Sequence, residues 1–192
     1  MFLRLDDVST LDARLVYLVE NALGHQIPLL LAVVPAELTT EAAQWLMHLQ
    51  AAYPILDIGQ HGYRHEGFDC RNGRGEFCRT RTASEQNRDI DEGAAIMDNA
   101  FGSHWQQIFV PPFNCMNRTT ARLLIRKGYI GVSTFYLPIK NVKQFYSFVI
   151  GGMSYYFGGH LTHFRNGYRV EGQLPCISPA LDTVKNYGSF SS

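Results

Sequence analysis

The sequence predicts an α/β fold with a parallel sheet, either open or closed into a barrel. Short apolar runs alternate with segments whose apolar residues recur at helical spacing. One run, "PLLLAVV" (28–34), is apolar throughout, as expected of a strand buried on both faces. No internal repeat, low-complexity tract or linker divides the sequence. We therefore predict a single domain over residues 1–192, long enough to bury one substantial core.

The strands are predicted from short apolar runs that end at polar or turn-forming residues. The first, "FLRL", ends at Asp6 and Asp7, and the third, "ILDIG", leads directly into "QHGYRH". In chain order, the five predicted strands cover residues 2–5, 28–34, 55–59, 107–110 and 129–134. Beyond Phe135, weaker signals predict further strands near 147–150, 155–163 and 174–178.

The helices are predicted where apolar residues recur every three or four positions between capping signals. The four predicted helices cover residues 10–24, 39–53, 84–102 and 119–128. Thr10 is a candidate N-cap of the first helix and Gly24 its stop, while Thr39 or Thr40 caps the second. Strand–helix alternation of this kind is typical of parallel sheets.

Composition excludes several functional classes. Lys plus Arg equal Asp plus Glu at 17 each, which argues against a general nucleic-acid binder. The longest apolar run, "IPLLLAVVP", is far shorter than the ~18 residues of a membrane span. The start "MFLRLDD" does not have the pattern of a signal peptide, so we expect a cytoplasmic protein or one exported with its signal absent from this sequence.

Cysteine and arginine positions leave two questions open. The four cysteines have no CxxC spacing, which argues against a structural zinc site. Cys70 and Cys78 either form a small disulfide loop or remain thiols. The loop "CRNGRGEFCRTR" (70–81) clusters four arginines, as a solvated loop or as a contact for an anionic or polar ligand.

Polar residues follow successive predicted strands. Asp6 and Asp7 follow the first, His61 and His65 the third, and "PPFN" (111–114) the fourth. Each group alone has an ordinary interpretation, as a cap, a surface pair or a rigid turn. Parallel α/β folds build their functional sites at the carboxyl ends of the strands, however. Their recurrence at three strand ends therefore indicates one functional site.

The chemistry of these residues suits a metal site. Two neutral imidazoles and one carboxylate suit Zn²⁺ or a similar divalent ion, with positions left for water and substrate. Because successive side chains of a strand point in different directions, one aspartate can bind the metal while the other acts as general base. His61 and His65 can converge on one ion if a turn of helix or a loop follows Gln60.

Three motifs in this order resemble those of the polysaccharide deacetylases of carbohydrate esterase family four, particularly their divergent bacterial members. These are "LRLDDV", "DIGQHGYRH" and "FVPPFN", and the resemblance runs from about residue 2 to about 134, including "KGYIGVST". It implies a distorted (β/α) barrel, complete or incomplete, of about six to seven strands. It also implies hydrolysis of acetyl groups on an N- or O-acetylated polysaccharide or oligosaccharide through a metal-activated water.

The resemblance assigns roles to individual residues. Asp6 would be the general base. Asp7, His61 and His65 would hold a divalent metal, with Zn²⁺ the first expectation. The substrate-binding groove would be lined by Pro111, Pro112, Phe113 and Asn114. The expected partner is an acetylated carbohydrate, with no nucleic acid and no membrane span, and the oligomeric state is left open.

The sequence departs from the family pattern in three places. Val110 stands where many members have an arginine that orients the base, and Ser133 and Thr134 stand where an aspartate is common. The late histidine that serves as general acid has no clear match. His160 or His163 supplies it, with His163 the candidate retained, or it lies outside this chain or is absent.

These departures keep two alternatives open. The first is a catalytically silent deacetylase-like domain that binds carbohydrate or a protein partner. The second is a metal-dependent amidase with a non-sugar substrate, because metal chemistry on an amide does not identify the leaving group.

Overall fold

The computed structural model describes residues 3–70 and 73–133, together with strands at 153–155 and 174–177. Its helices are α1 (Ala13–Gly24), α2 (Thr40–Ala52), α3 (Ala83–Phe101) and α4 (Arg118–Arg126). Its strands are β1 (Leu3–Val8), β2 (Leu29–Val33), β3 (Leu56–His61), β4 (Phe68–Cys70), β5 (Gly73–Gly75), β6 (Ile108–Val110), β7 (Gly131–Ser133), β8 (Met153–Tyr155) and β9 (Leu174–Ile177).

Seven of these strands form one sheet in the order β1-β2-β3-β6-β7-β9-β8. Every pairing in this sheet is parallel, which confirms the predicted α/β class. The two remaining strands, β4 and β5, form an antiparallel hairpin in the arginine-rich segment, which the sequence pattern had indicated as a loop. The first strand is longer than predicted, so Asp6 and Asp7 lie within β1 and do not follow it. All the carboxyl ends in the parallel sheet lie at one edge, so the polar residues at the ends of β1, β3 and β6 are brought together.

A hydrogen bond between distant strands shows that the sheet is strongly curved. Arg4 Nη1 on β1 donates to Ser133 Oγ on β7 over 3.1 Å, although three strands lie between β1 and β7. In a flat sheet, strands four positions apart would be separated by about 19 Å, beyond the reach of an arginine. The described part of the sheet therefore has the curvature of a barrel wall, with β1 and β8 as its two edge strands.

The two faces of the sheet are packed differently. The main core lies between the sheet and the helices and includes Leu31, Ile58 and Phe109. A small second cluster on the opposite, inner face joins the side chains of β2 and β6, namely Leu30, Ala32, Ile108 and Val110. Gly59 of β3 lies between them, and a Cβ there would come within 3.0 Å of the Ile108 carbonyl oxygen.

Most of the predicted boundaries hold, and the exceptions have local causes. Thr39 caps α2 by accepting from Ala42 N, as predicted, but the cap of α1 is Asp12 and not Thr10. Asp12 directly precedes the first helical residue, and its carboxylate accepts from Leu15 N at 2.8 Å. Thr10 lies two residues further from the helix.

Other predictions fall partly or wholly outside the described residues. The strand predicted at 174–178 is observed as β9, and β8 begins just before the one predicted at 155–163. The strand predicted at 147–150, the candidate acids His160 and His163, and the Cys70 side chain lie outside the described residues.

Candidate metal centre

A bulge in β1 sends the two adjacent aspartates in different directions. Leu5 pairs with Leu31 and Val8 with Val33, so two residues of β1 oppose the single residue Ala32 of β2. The second of these two, Asp7, has a left-handed backbone with φ 62°. Asp6 is consequently buried on the inner face, whereas the Asp7 carboxylate turns toward the end of β3. The different directions expected for the two aspartates are confirmed, with the bulge as their cause.

His61 is the last residue of β3 and is 2% exposed. Its Nδ1 lies 2.9 Å from the carbonyl oxygen of Val110, the residue beside it on β6. An N–H at Nδ1 donates to this carbonyl, which leaves the lone pair of the neutral ring on Nε2. Nε2 lies 3.1 Å from Asp7 Oδ1. Strand pairing therefore sets both the position and the tautomer of His61.

His65 reaches the same point through a loop. Gly62 (φ 60°) and His65 (φ 55°) both adopt left-handed backbone conformations, and these turn the chain back toward β1. His65 Nε2 lies 3.1 Å from Asp7 Oδ1. The centroids of the His61 and His65 rings are 5.0 Å apart. Of the two predicted possibilities, a turn of helix or a loop, the structure has a loop, which begins after His61 and brings the two imidazoles together.

The three groups fit a divalent cation. The donor atoms of Asp7, His61 and His65 lie within 4.8 Å of one another. Burial lowers the pKa of His65, against the opposing effect of the Asp7 carboxylate, and so favours the neutral, metal-binding ring. The same Asp7 oxygen faces Nε2 of both imidazoles, so the three donor atoms converge on one point. Ligands of a tetrahedral zinc ion are separated by about 3.3 Å, close to the observed 3.1 Å.

Asp6 is held by an arginine that sequence reasoning missed. The fully buried Arg4 grips the carboxylate at both oxygens, with Nε to Oδ1 at 2.7 Å and Nη2 to Oδ2 at 2.8 Å. The same guanidinium donates to Asn114 Oδ1 at 2.8 Å and to Ser133 Oγ. Charge-assisted bidentate pairs of this type are strong and orient both partners. An arginine therefore orients the carboxylate from β1, although Val110 occupies the position where the family has one.

A signal for this pairing was present in the sequence. Side chains two positions apart on a strand share a face, so Arg4 and Asp6 must lie side by side. An arginine in a strand that enters the core needs a carboxylate partner. The period-two rule would thus have found the pair.

The segment after β6 forms a wall beside the histidines. The Phe113 ring lies 4.5 Å from the His65 ring, centroid to centroid, and Pro112 is buried beneath the loop. Phe113 (φ 59°) and Asn114 (φ 50°) are both left-handed. Among the described non-glycine residues with positive φ, all but Gln26 lie at this site. Backbone strain of this kind persists where the surrounding structure requires it and is common at functional sites.

In the arginine-rich segment, Arg79 is exposed whereas Arg81 is held by contacts within the chain. Arg81 pairs with Asp89 at 2.6 Å, donates to the Glu76 carbonyl oxygen, and lies over the Phe68 ring. Its charge is therefore engaged internally.

Comparisons with known proteins identify the fold. No protein-family model and no curated protein matches the sequence. Among solved structures, IcaB from Ammonifex degensii matches with a TM-score of 0.56 and 19% identity, over 69% of this chain and 58% of that protein. A family 4 acetyl xylan esterase from Clostridium thermocellum, solved in complex with a cobalt ion, matches with a TM-score of 0.51 and 13% identity, over 92% and 73%. A family 4 carbohydrate esterase from Streptomyces lividans, solved in complex with acetate, matches with a TM-score of 0.52 and 11% identity, over 93% and 80%.

These matches define the class of fold. The chain has the α/β fold of the polysaccharide deacetylases, so the resemblance seen in the three motifs is confirmed at the level of the fold. The chain spans less than two thirds of IcaB. Among the described residues, no helix is long and apolar enough to cross a membrane.

Proposed function

We propose that this protein is a divalent-metal-dependent hydrolase that removes acetyl groups from an N- or O-acetylated polysaccharide or oligosaccharide. The observation that carries the proposal is the convergence of Asp7, His61 and His65 beside a separately held carboxylate, Asp6. The fold shared with deacetylases and esterases of acetylated sugars supports the choice of substrate class.

Asp7, His61 and His65 would hold the metal, with zinc the first expectation from two nitrogen donors and one oxygen donor. When bound there, a divalent ion acidifies a water molecule and polarises an acyl carbonyl. The chain's own residues supply the remaining functions of the site. Val110 fixes the His61 tautomer through its carbonyl oxygen, and this directs Nε2 toward the site.

Asp6 is proposed as the general base. Asp6 is 7% exposed, and Arg4 holds both of its carboxylate oxygens. A base held in one orientation accepts a proton from an attacking water more effectively than a mobile one. Arg4 is thus a positioning residue. Asn114 Oδ1 accepts from the same guanidinium and joins the substrate wall to the base.

Phe113, with Pro111 and Pro112, is proposed to line the substrate groove. The Phe113 ring lies against His65, which places an apolar surface directly beside the metal ligands. An aromatic face of this kind can pack against a sugar ring or an acetyl methyl group. His163 remains the proposed general acid.

Acetate release tests this proposal. Purified protein supplied with Zn²⁺ would be incubated with N-acetylglucosamine oligomers and with acetylated xylan, and free acetate would be measured. We expect release by the wild type, and a loss of about 10²–10⁴-fold in Asp6→Asn, the range attributed to a general base. Release from non-sugar N-acyl compounds alone would favour the amidase alternative. No release from any substrate by a metal-loaded protein would favour the silent binding domain.

A further inference from the structure

The loop between the two histidine ligands is held by a residue outside all three motifs. Gly62 has φ +60°, and a Cβ built on it would lie 2.1 Å from Glu76 Oε2 and 2.4 Å from Pro112 Cγ. The backbone directly after His61 is therefore packed tightly between the Glu76 carboxylate and the ring of Pro112. Such a close approach accommodates only glycine.

The Glu76 carboxylate bonds directly to this loop. Oε1 accepts from Arg64 N at 2.8 Å, and Oε2 accepts from Tyr63 N at 3.1 Å. Glu76 is 1% exposed. Two backbone N–H groups between the histidines thus donate to one buried carboxylate. Burial of this charge costs desolvation energy, and the charge-assisted hydrogen bonds compensate for that cost.

Glu76 is itself fixed from both sides. Gly75, before it, pairs with Phe68 in the β4–β5 hairpin. Phe77, after it, is fully buried in the main core, and its carbonyl oxygen accepts from Asn117 N at 3.0 Å. The carboxylate therefore projects from a rigid segment, as a group that positions other residues requires.

We propose that Glu76 is a positioning residue that holds the His61–His65 loop in its metal-binding conformation. This inference rests on the proposed function, because it presupposes that the two histidines bind a metal. Glu76 acts through length and hydrogen-bond acceptance: at the full length of the side chain, Oε1 alone lies within reach of both N–H groups, 2.8 Å from Arg64 N and 3.3 Å from Tyr63 N. Its role differs from that of a negative charge that attracts the cation from a distance.

Three substitutions distinguish these roles. Glu76→Ala removes the acceptor. Glu76→Gln keeps the length and one acceptor oxygen without the charge, whereas Glu76→Asp keeps the charge and shortens the side chain by one methylene. Leu46→Ala, in the core on α2, is the control for general loss of stability.

The readout is Co²⁺ binding to the metal-free protein, measured by calorimetry and by the visible absorption of the bound ion. We expect Glu76→Ala to weaken Co²⁺ binding by about 10–100-fold and to change the absorption spectrum, since outer-shell partners of metal ligands have effects of this size. Glu76→Gln should bind more tightly than Glu76→Asp. Leu46→Ala should bind as the wild type does at a lower melting temperature.

The outcomes separate the two proposals. Wild-type affinity and spectrum in Glu76→Ala would overturn the role of Glu76 while the metal site stands. Tighter binding by Glu76→Asp than by Glu76→Gln would also overturn it, in favour of a charge effect, and this comparison decides the matter if Glu76→Ala does not fold. Equal weakening of Co²⁺ binding by Leu46→Ala would show that the effect of Glu76→Ala is only a general loss of stability, and this would also overturn the role of Glu76. A wild type that binds no Co²⁺ would overturn the proposed function and this inference together.

Discussion

The pairing of Arg4 with Asp6 yields the most quantitative prediction. Arg4→Met replaces the guanidinium by an apolar side chain of similar length and leaves the Asp6 carboxylate without its bidentate partner. Both residues lie in the interior, with Arg4 fully buried and Asp6 7% exposed. The variant therefore tests whether an ion pair on one strand holds the proposed base.

The size of the effect follows from the hydrogen bonds that are lost. Arg4 donates to both oxygens of Asp6 at 2.7 and 2.8 Å. Charge-assisted hydrogen bonds are worth about 1.5–3 kcal/mol each, and breaking a buried pair by removing one partner costs about 3–5 kcal/mol. We expect Arg4→Met to lower the free energy of unfolding by about 3–5 kcal/mol, a large share of the 5–15 kcal/mol typical of a domain.

The assay is equilibrium unfolding in urea of metal-free wild type, Arg4→Met, Asp6→Asn and the double variant. In the Asp6→Asn background, loss of Arg4 should cost about 1–3 kcal/mol less than in the wild type, because the charge of its partner is already gone. The same cost in both backgrounds would contradict this prediction, since Arg4 would then contribute independently of its pairing with Asp6. A cost below about 1 kcal/mol in the wild type would show that the pair contributes nothing net.

Three further predictions concern the loops of the site. Gly62→Ala should lower the free energy of unfolding by about 1–3 kcal/mol more than Gly102→Ala, since both positions have positive φ but, of the two, only a Cβ at Gly62 meets neighbouring atoms. Equal losses of stability in urea unfolding would show that the close contacts at Gly62 do not matter. Phe113→Gly should be more stable than Phe113→Ala by about 1–2 kcal/mol, because only glycine adopts φ 59° without strain. The reverse order of stability in the same assay would show that the backbone at this position is not strained. Burial raises the pKa of Glu76, with the Asp89 charge adding to the rise and backbone hydrogen bonds and His61 opposing it. Between about pH 4.3 and the raised pKa, the folded protein keeps a proton that the unfolded chain has lost, so the free energy of unfolding should fall as the pH rises. Urea unfolding across this pH range measures the effect. An equal fall in Glu76→Gln would contradict the prediction.

The sequence predicted the parts of the site that depend on local pattern. Strand ends are visible as apolar runs that stop, so the sequence alone predicts that His61 and Asp6 lie at one edge of a parallel sheet. The spacing of His61 and His65 then agreed with a shared ligand position. These predictions needed only the order of strands and helices.

The rest depended on contacts that no local pattern carries. The β1 bulge at Asp7 arises from the register with β2, which periodicity does not reveal. The family pattern points to Val110, the last residue of β6, as the position of the orienting arginine, and so it does not predict the pairing of Arg4 with Asp6. Glu76 accepts hydrogen bonds from backbone N–H groups 12 and 13 residues earlier in the chain. The hairpin between them was predicted as a loop. Such long-range pairings become visible only when the chain is folded.

The metal content of the purified protein decides whether Asp7, His61 and His65 form a metal site. Wild type, His65→Ala and Asp6→Asn would be purified without added metal, incubated with Zn²⁺, dialysed and measured by elemental analysis. We expect about one zinc per chain in the wild type and in Asp6→Asn, whose side chain faces Arg4, and loss of zinc in His65→Ala, whose ring faces Asp7. A wild type without zinc, or a His65→Ala variant that retains it, would rule out this metal site.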